Sequence, residues 1–349
     1  MINNSFFSTE ILRWFRENGR DLPWRETRDP YAIWLSEIIL QQTRIAQGWE
    51  YWERFVQTYP KVEDLAAASE DDVLKLWQGL GYYSRARNLH TAAKQIVALG
   101  AFPNTLEGIK SLKGVGDYTA AAIGSFAFDI PAAVVDGNVY RVLSRYFGID
   151  TPINSTQGKK EFAALAQSLL PASDAASYNQ GMMDFGAIQC TPQSPKCLLC
   201  PLAETCEALR CGRVEELPVK NKTVKVKTRH LSYIYIRCKS LAADDTGISE
   251  PMVAIHRRGE GDIWQGLWEP YNVSDVKELP SFVKNPILLA KDVKHVLTHR
   301  ILLADFYLLE TENRPQLPDD YIWIKESEIE DYGVPRLIEI MLEKINPVE

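Results

Sequence analysis

The stretch LKGVGDYTAAAI, Leu112 to Ile123, sets Gly114 and Gly116 directly before a run of small and apolar residues with helical spacing. A Gly-x-Gly turn leading into a helix from near Asp117 leaves the backbone bare where the first helical N–H groups have no partners. Those N–H groups and the helix dipole attract anions, phosphate above all. A simple helix–helix turn would use the same residues. The stretch is not a dinucleotide-binding fingerprint, because no strand pattern precedes it and no third glycine follows at the required spacing. Thr119 to Ala122 are small enough for the helix to pack closely on a neighbour.

On either side of this turn, from Ser8 to about Gln189, apolar residues recur at steps of three and four, and short Gly- and Pro-containing breaks separate the helices. Four of the six cysteines then fall in CTPQSPKCLLCPLAETC, residues 190–206. Beyond a thin stretch the pattern changes. VKVKTRHLSYIYIRC alternates like a half-buried strand, PMVAIHRRG and ILLADFYLLE look similar, and a last helix is expected over Pro335–Lys344. The expected organisation is a helical domain over 1–213 that includes the cysteine loop, a linker over 214–224, and a smaller α+β domain over 225–349.

The 349 residues are too many for one ordinary core. Apolar content of 46% and charged content of 24% are those of a water-soluble chain. No apolar run approaches a membrane span, and the N-terminus lacks a basic segment followed by an apolar core, so the cytoplasm is the expected compartment. The net charge of −7 counts mildly against a nucleic-acid partner. A DNA-binding surface would have to be a local basic patch. Lys220, Lys222, Lys225, Lys227 and Arg229 form one acid-free run, which reads equally well as a solvated linker.

The cysteines are spaced Cys-x6-Cys-x2-Cys-x5-Cys (Cys190, Cys197, Cys200, Cys206). Structural zinc usually takes two short Cys pairs from separate places. Four thiolates in one compact loop suit a cubane iron–sulfur cluster better, with zinc as the alternative. Lys196 and Arg210 could let the loop present positive charge to a phosphate backbone, and electron transfer is a second use of such a loop.

Two carboxylates stand in unlike contexts. Glu37 lies in YAIWLSEIILQQ with Ile33, Trp34, Ile38 and Leu40 around it. If it is buried, its pKa rises and it can serve as a general acid near neutrality. If Ser36, Gln41 and Gln42 mark a solvent face, it is an ordinary surface glutamate. Asp136 precedes Gly137 and Asn138 at the start of a helix-like segment, the position of an N-cap. Helix N–H groups and the dipole would keep such a carboxylate ionised. An acid paired with an ionised stabiliser is the arrangement of glycoside hydrolysis.

Leu-x-Gly-Val-Gly, VVDGNVYRVLSR and the cysteine spacing together resemble the helix–hairpin–helix DNA glycosylases, and WLSEIILQQT (34–43) with WQGLGYYSRARNLH (77–90) resembles the adenine-specific MutY family. The family has Pro where this chain has Lys113. The resemblance implies a mainly α helix–hairpin–helix fold with an iron–sulfur loop and a C-terminal α+β Nudix-like domain. It implies a [4Fe-4S] cofactor and a monomer acting on double-stranded DNA that carries adenine opposite 8-oxoguanine or guanine. It places Glu37 as the acid that protonates adenine and Asp136, with Asn138 and Tyr118, beside the sugar cation. Tyr118 stands where bifunctional relatives have a lysine, and a phenol cannot form an imine, so base release without strand cleavage is expected. DNA contacts are implied for Gly114, Val115, Gly116, Gln41, Gln42, Thr43, Leu80 and Tyr82, and Arg85 and Arg87 could reach phosphates. GDIWQGLWEPY (261–271) resembles part of a Nudix fold that lacks the catalytic glutamate helix. In HVLTHR (295–300), Thr298 and His299 match the family's 8-oxoguanine contacts, with Thr where many members have Ser. A bifunctional pyrimidine glycosylase/lyase and a non-catalytic iron–sulfur DNA-binding protein are the alternatives.

Overall fold

The computed structural model describes residues 4–221, 226–239, 250–274 and 279–346. Lys222 and Lys225 of the basic run, and residues 222–224 of the expected linker, lie outside the described residues. The helices are α1 (Asn4–Asn18), α2 (Pro30–Ile39), α3 (Ile45–Thr58), α4 (Val62–Ala67), α5 (Glu70–Leu76), α6 (Ser84–Leu99), α7 (Leu106–Lys110), α8 (Asp117–Phe128), α9 (Gly137–Phe147), α10 (Thr156–Leu169), α11 (Ala175–Asp184), α12 (Glu207–Arg210) and α13 (Arg336–Ile345). The strands are β1 (Lys227–Cys238), β2 (Met252–Arg257), β3 (Trp268–Glu269), β4 (Tyr271–Ser274), β5 (Ile287–Val296), β6 (Arg300–Thr311) and β7 (Tyr321–Lys325). Two compact units result: Met1–Ala66 with Thr91–Lys222, and Ala67–His90 with Thr223–Glu349.

In the helical unit, α2 is buried from Tyr31 to Ile39. It is apolar on nearly every side, as suits a helix enclosed by others. Asp29 caps it by accepting from the N–H groups of Tyr31 (3.1 Å) and Ala32 (3.4 Å), and Pro30 sits at the first position, where no donor is needed. The helix α8 lies against α2, and its buried stretch runs from Thr119 to Phe126, so Ala120 to Ala122 provide the close approach. A second core joins α1, α9, α10 and α11 through Phe7, Ile11, Val142, Leu143, Phe162 and Met182.

Asp184, at the end of α11, has no exposed surface. It accepts from the backbone N–H and Nε of Arg20, both at 2.9 Å, and from Nη1 and Nη2 of Arg25 at 2.9 and 2.8 Å. Burial alone would raise its carboxyl; the Arg25 and Arg20 donors outweigh that and hold it below the ordinary value. The carboxylate thereby ties the segment that leads into α2 to the end of α11.

In the second unit the sheet order is β3-β2-β1-β6-β5, with β4 also paired to β1 and β7 to β2. The parallel β1–β6 pair runs in register from Lys227↔Arg300 to Cys238↔Thr311. The half-buried expectation for β1 needs correction, because this strand is central and covered on both faces. Leu231, Tyr233 and Tyr235 enter a core with Leu337, Ile338 and Met341 of α13, and Ile234 and Ile236 enter another with Ala254 and Leu309. A division of the chain by composition also leaves out the segment Ala67–His90, which clusters with this unit. Arg87 Nη1 donates to the Gln265 carbonyl at 2.5 Å, Arg257 Nη2 to Glu70 at 2.9 Å, and the Val334 N–H to Gln78 at 3.4 Å. A Cβ on Gly266 would come to 3.0 Å from Leu74. Among the described residues no helix is long and apolar enough to cross a membrane.

Asp184→Asn removes the counter-charge of two guanidinium groups. We expect it to lower the unfolding free energy by about 3 kcal/mol, read from urea denaturation.

Candidate active site

The turn quoted at the outset joins α7 to α8. Gly114 has φ +80°, the Val115 N–H closes the turn on the Leu112 carbonyl at 3.1 Å, and Gly116 forms the N-cap of α8 with no side chain over the helix end. A Cβ at Gly116 would meet nothing within 4 Å, so packing inside the unit does not require a glycine there. Tyr118 is the second residue of α8, and the hairpin carries it into a cavity of about 590 Å³.

That cavity is lined by Glu37, Tyr118, Asp136 and Asn138, by Gln41, Gln42 and Thr43 at its rim, and by Arg20, Arg25 and Met183. Glu37 has only 8% of its surface exposed, which decides between the two readings of α2: the helix has no solvent face at this position. Burial is the main cause that pushes its carboxyl up to about 7; Asp136 adds to the rise, while Tyr118 and Arg25 oppose it. The Tyr118 hydroxyl reaches Met183 Sδ at 3.7 Å, and the phenol is itself pushed well up by burial and by the two carboxylates.

Asp136 is a half-buried N-cap of α9. Its Oδ1 accepts from the N–H groups of Asn138 (2.8 Å) and Val139 (2.7 Å), and its Oδ2 from Asn138 Nδ2 at 2.8 Å. The cap donors are those expected of an N-cap, and burial works against them. Burial raises the carboxyl above its ordinary value, and the Val139 and Asn138 donors with Arg141 only partly offset it. The contrast with Glu37 lies in the donors: three aim at Asp136, and they favour its ionised form.

Arg141 continues this network. Its Nη2 donates to Asn138 Oδ1 (2.8 Å) and to the Gly186 carbonyl (2.6 Å), and its Nε to the Cys190 carbonyl (2.7 Å). Gly186 lies in a π-helical turn, Phe185–Gln189, where a Cβ would come within 2.5 Å of the Asn138 Cβ. Sequence reasoning missed Arg141, Arg20, Arg25 and Met183. Only Arg141 left a local signal, three residues beyond Asn138 on the same helix face.

Cys190, Cys197, Cys200 and Cys206 line one small pocket with Arg145. Arg145 Nη1 donates to Cys190 Sγ at 3.4 Å, and the Cys206 thiol donates to the Arg145 carbonyl at 3.6 Å. Among the described residues no group of three or more His, Cys, Asp or Glu side chains is arranged to hold a metal ion. Four soft donors spread around a pocket fit a cluster, whose iron atoms stand apart, better than one small ion.

The remaining predicted positions lie elsewhere. Leu80, Tyr82, Thr298 and His299 line a second cavity, of about 670 Å³, within the other unit. Tyr82 is 45% exposed, so it is a surface aromatic and not a core one, and its hydroxyl bonds Thr298 Oγ1. Residues 297–299 form the turn of the β5–β6 hairpin. Arg85 needs correction as a phosphate contact: it is 8% exposed, stacks over Trp77 at 5.0 Å and donates to the Leu80 and Gly81 carbonyls at 3.3 and 3.2 Å. Arg87 is likewise engaged with Gln265. Gln42 (φ 57°), Tyr82 (φ 47°) and Trp264 (φ 61°) hold left-handed backbone, and all three line one of the two cavities.

Comparison with known proteins gives the same picture. Residues 35–171 match the HhH-GPD superfamily base excision DNA repair protein, residues 190–206 the iron-sulfur binding domain of endonuclease III, and residues 248–344 a NUDIX domain. An adenine DNA glycosylase of Buchnera aphidicola subsp. Schizaphis graminum is 31% identical across 97% of this chain and 98% of its own. The chain belongs to the adenine DNA glycosylase family. The Mus musculus adenine DNA glycosylase is 42% identical across 61% of this chain, which is 44% of that longer protein. A thermostable thymine-DNA glycosylase superposes with TM-score 0.56 at 34% identity over 60% of this chain and 97% of that one. Endonuclease III in a trapped covalent DNA intermediate shares the fold, with TM-score 0.53 at 23% identity over 61% of this chain and 99% of that one. The family's cofactor here is a [4Fe-4S] cluster in residues 190–206.

Two outcomes follow for stability. Between pH 4.5 and about 7 the folded chain holds a proton on Glu37 that the unfolded chain has released, so stability falls as pH rises through that window. We expect Glu37→Gln to raise the unfolding free energy, by on the order of 3 kcal/mol at pH 8 and by little at pH 4, in denaturation series at the two pH values. Gly186→Ala forces Asn138 aside and is expected to lower the melting temperature measured by calorimetry.

Proposed function

We propose that this adenine DNA glycosylase releases adenine mispaired with 8-oxoguanine or guanine from duplex DNA, by hydrolysis alone and as a monomer. The observation that carries the reading is two carboxylates of unlike surroundings in one cavity. Glu37 is buried in α2 and pushed up to about 7, so a large fraction is protonated at neutral pH. Asp136 is met by three donors that favour its charge. Breaking the N-glycosidic bond requires a proton on the departing purine and negative charge beside the oxocarbenium-like sugar. Glu37 supplies the first and then assists water; Asp136, oriented by Asn138, supplies the second. The adenine must leave the stack to reach them, at a cost of a few kcal/mol.

The described residues lining this cavity include no lysine, and Lys113 is exposed and outside it. Tyr118 cannot form an imine, and its contacts suit orienting Glu37. The N–H groups of Gly114 and Gly116 would hold the phosphate backbone, with Gln41, Gln42 and Thr43 filling the space the extruded base leaves. Cys190, Cys197, Cys200 and Cys206 would hold the cluster, which would make the loop rigid, and Arg141 links the Cys190 carbonyl of that loop to Asn138. In the second cavity, Tyr82, Leu80, Thr298 and His299 would receive the base opposite the adenine.

Glu37→Gln and Asp136→Asn should each lower single-turnover adenine release at least about a hundredfold while duplex affinity survives in a gel-shift titration. Near-normal release in either variant removes that residue from the mechanism. The rate should fall as pH rises through about 7, where Glu37 loses its proton, and should fall again in acid, where Asp136 gains one, at a pH above the ordinary aspartate range. Borohydride treatment during turnover should trap no covalent protein–DNA adduct. A high yield of adduct would mean a lyase.

A further inference from the structure

The basic run of the sequence ends in Lys227 and Arg229, and the structure brings both to the same end of the sheet as Arg300. In the parallel register Lys227 faces Arg300 and Arg229 faces Leu302, so all share one face of the sheet. Arg300 follows the 297–299 turn directly. One carboxylate, Asp262, collects the arginines gathered there. It accepts from Arg229 Nη1 at 2.9 and 2.6 Å, from Arg258 Nη2 at 2.7 Å, from Arg300 Nη1 at 3.4 Å and from the Ile263 N–H at 2.7 Å. Arg229 and Arg258 are themselves anchored, the first to Ser274 at 2.9 Å and the second to the buried Glu269, with both oxygens at 2.6 Å.

We propose that Asp262 is a positioning residue for recognition of the base opposite adenine, acting through Arg300 to hold the Thr298–His299 turn. This rests on the reading of that turn as the 8-oxoguanine contact. Leu297 packs against the core of this unit, and among the described residues the turn has few other polar ties. Its ends close through Leu297 N–H to the Arg300 carbonyl at 2.8 Å, the Lys227 N–H reaches the His299 carbonyl at 3.3 Å, and Thr298 meets the Tyr82 hydroxyl. Asp262 also stands two residues before Trp264, whose left-handed backbone turns its ring to 5.8 Å from His295 in the same cavity. A carboxylate offers about four acceptor sites, and this one meets four donor groups. Replacing one oxygen by an amide therefore sheds a donor, and Arg300, the longest contact and 44% exposed, is the one released. A turn freed in this way must be ordered again each time it meets its base, which costs affinity and leaves the distant bond-breaking step alone.

The test uses the full-length protein loaded with its cluster and compares adenine release and binding on duplexes with 8-oxoguanine or guanine opposite the adenine. Asp262→Asn and Arg300→Gln should each cut the binding preference for 8-oxoguanine about tenfold, the scale of one charge-assisted hydrogen bond, with the single-turnover rate on the bound guanine duplex unchanged. The double variant should lose no more than either single one, since both break the same link. Arg300→Gln touches an exposed side chain and keeps the question open to test if Asp262→Asn folds poorly. An intact preference in Arg300→Gln, or losses that add in the double variant, overturns the proposal. Thr298→Ala and His299→Ala separate it from the reading beneath. If those two leave the preference intact, the recognition reading and the proposal both fall. If they abolish it while Asp262→Asn and Arg300→Gln do not, the proposal alone falls.

Discussion

A single carboxyl enclosed in an apolar helix is the constraint on which the catalytic unit is built. Glu37 occupies α2, every residue of which from Tyr31 to Ile39 is buried, and no surface position would give it a pKa near 7. Holding an ionisable group there opposes folding whenever it is charged. The surroundings make up for it with strong local order: the Asp29 cap, the close seat of α8 on α2, and the Asp184 clamp on Arg20 and Arg25. Stability is given up at one point and recovered around it, as is common where a fold keeps a group poised for chemistry.

The second carboxylate shows how the same fold keeps an anion. Asp136 is also desolvated, yet α9 turns two backbone N–H groups and Asn138 toward it. Arg141 spans from Asn138 to the carbonyls of Gly186 and Cys190, so the iron–sulfur loop and the cap of α9 share one guanidinium. The iron–sulfur loop and the Asp136 side of the cavity are thereby joined by hydrogen bonds through one side chain.

Much of this was readable in the sequence wherever the physics is short-range. Gly114 and Gly116 before small residues marked the α7–α8 turn, Asp136-Gly137-Asn138 marked a helix cap, and the cysteine spacing marked a cluster loop. Glu37 could be narrowed only to two readings, since Ser36, Gln41 and Gln42 offered a polar face that three-dimensional packing then closed. The exposure of Tyr82 could not be read from the sequence; Gly79 and Gly81, both at positive φ, precede it in the turn. Arg85 looked like a phosphate contact because a sequence shows a charge and hides its burial; the side chain folds back over Trp77 to hold the 80–82 turn.

By itself the sequence determined the helix and strand pattern, the helix–hairpin–helix turn, the caps and the cysteine loop. Each depends on residues a few positions apart, whose backbone and side chains meet in any folded form of the chain. Only the tertiary structure decided that Glu37 is buried, that Ala67–His90 groups with the C-terminal unit, and that Asp262 gathers arginines from β1, from the residue after β2 and from β6. Desolvation and ion pairing depend on which distant segments arrive at the same place, and no local spacing encodes that.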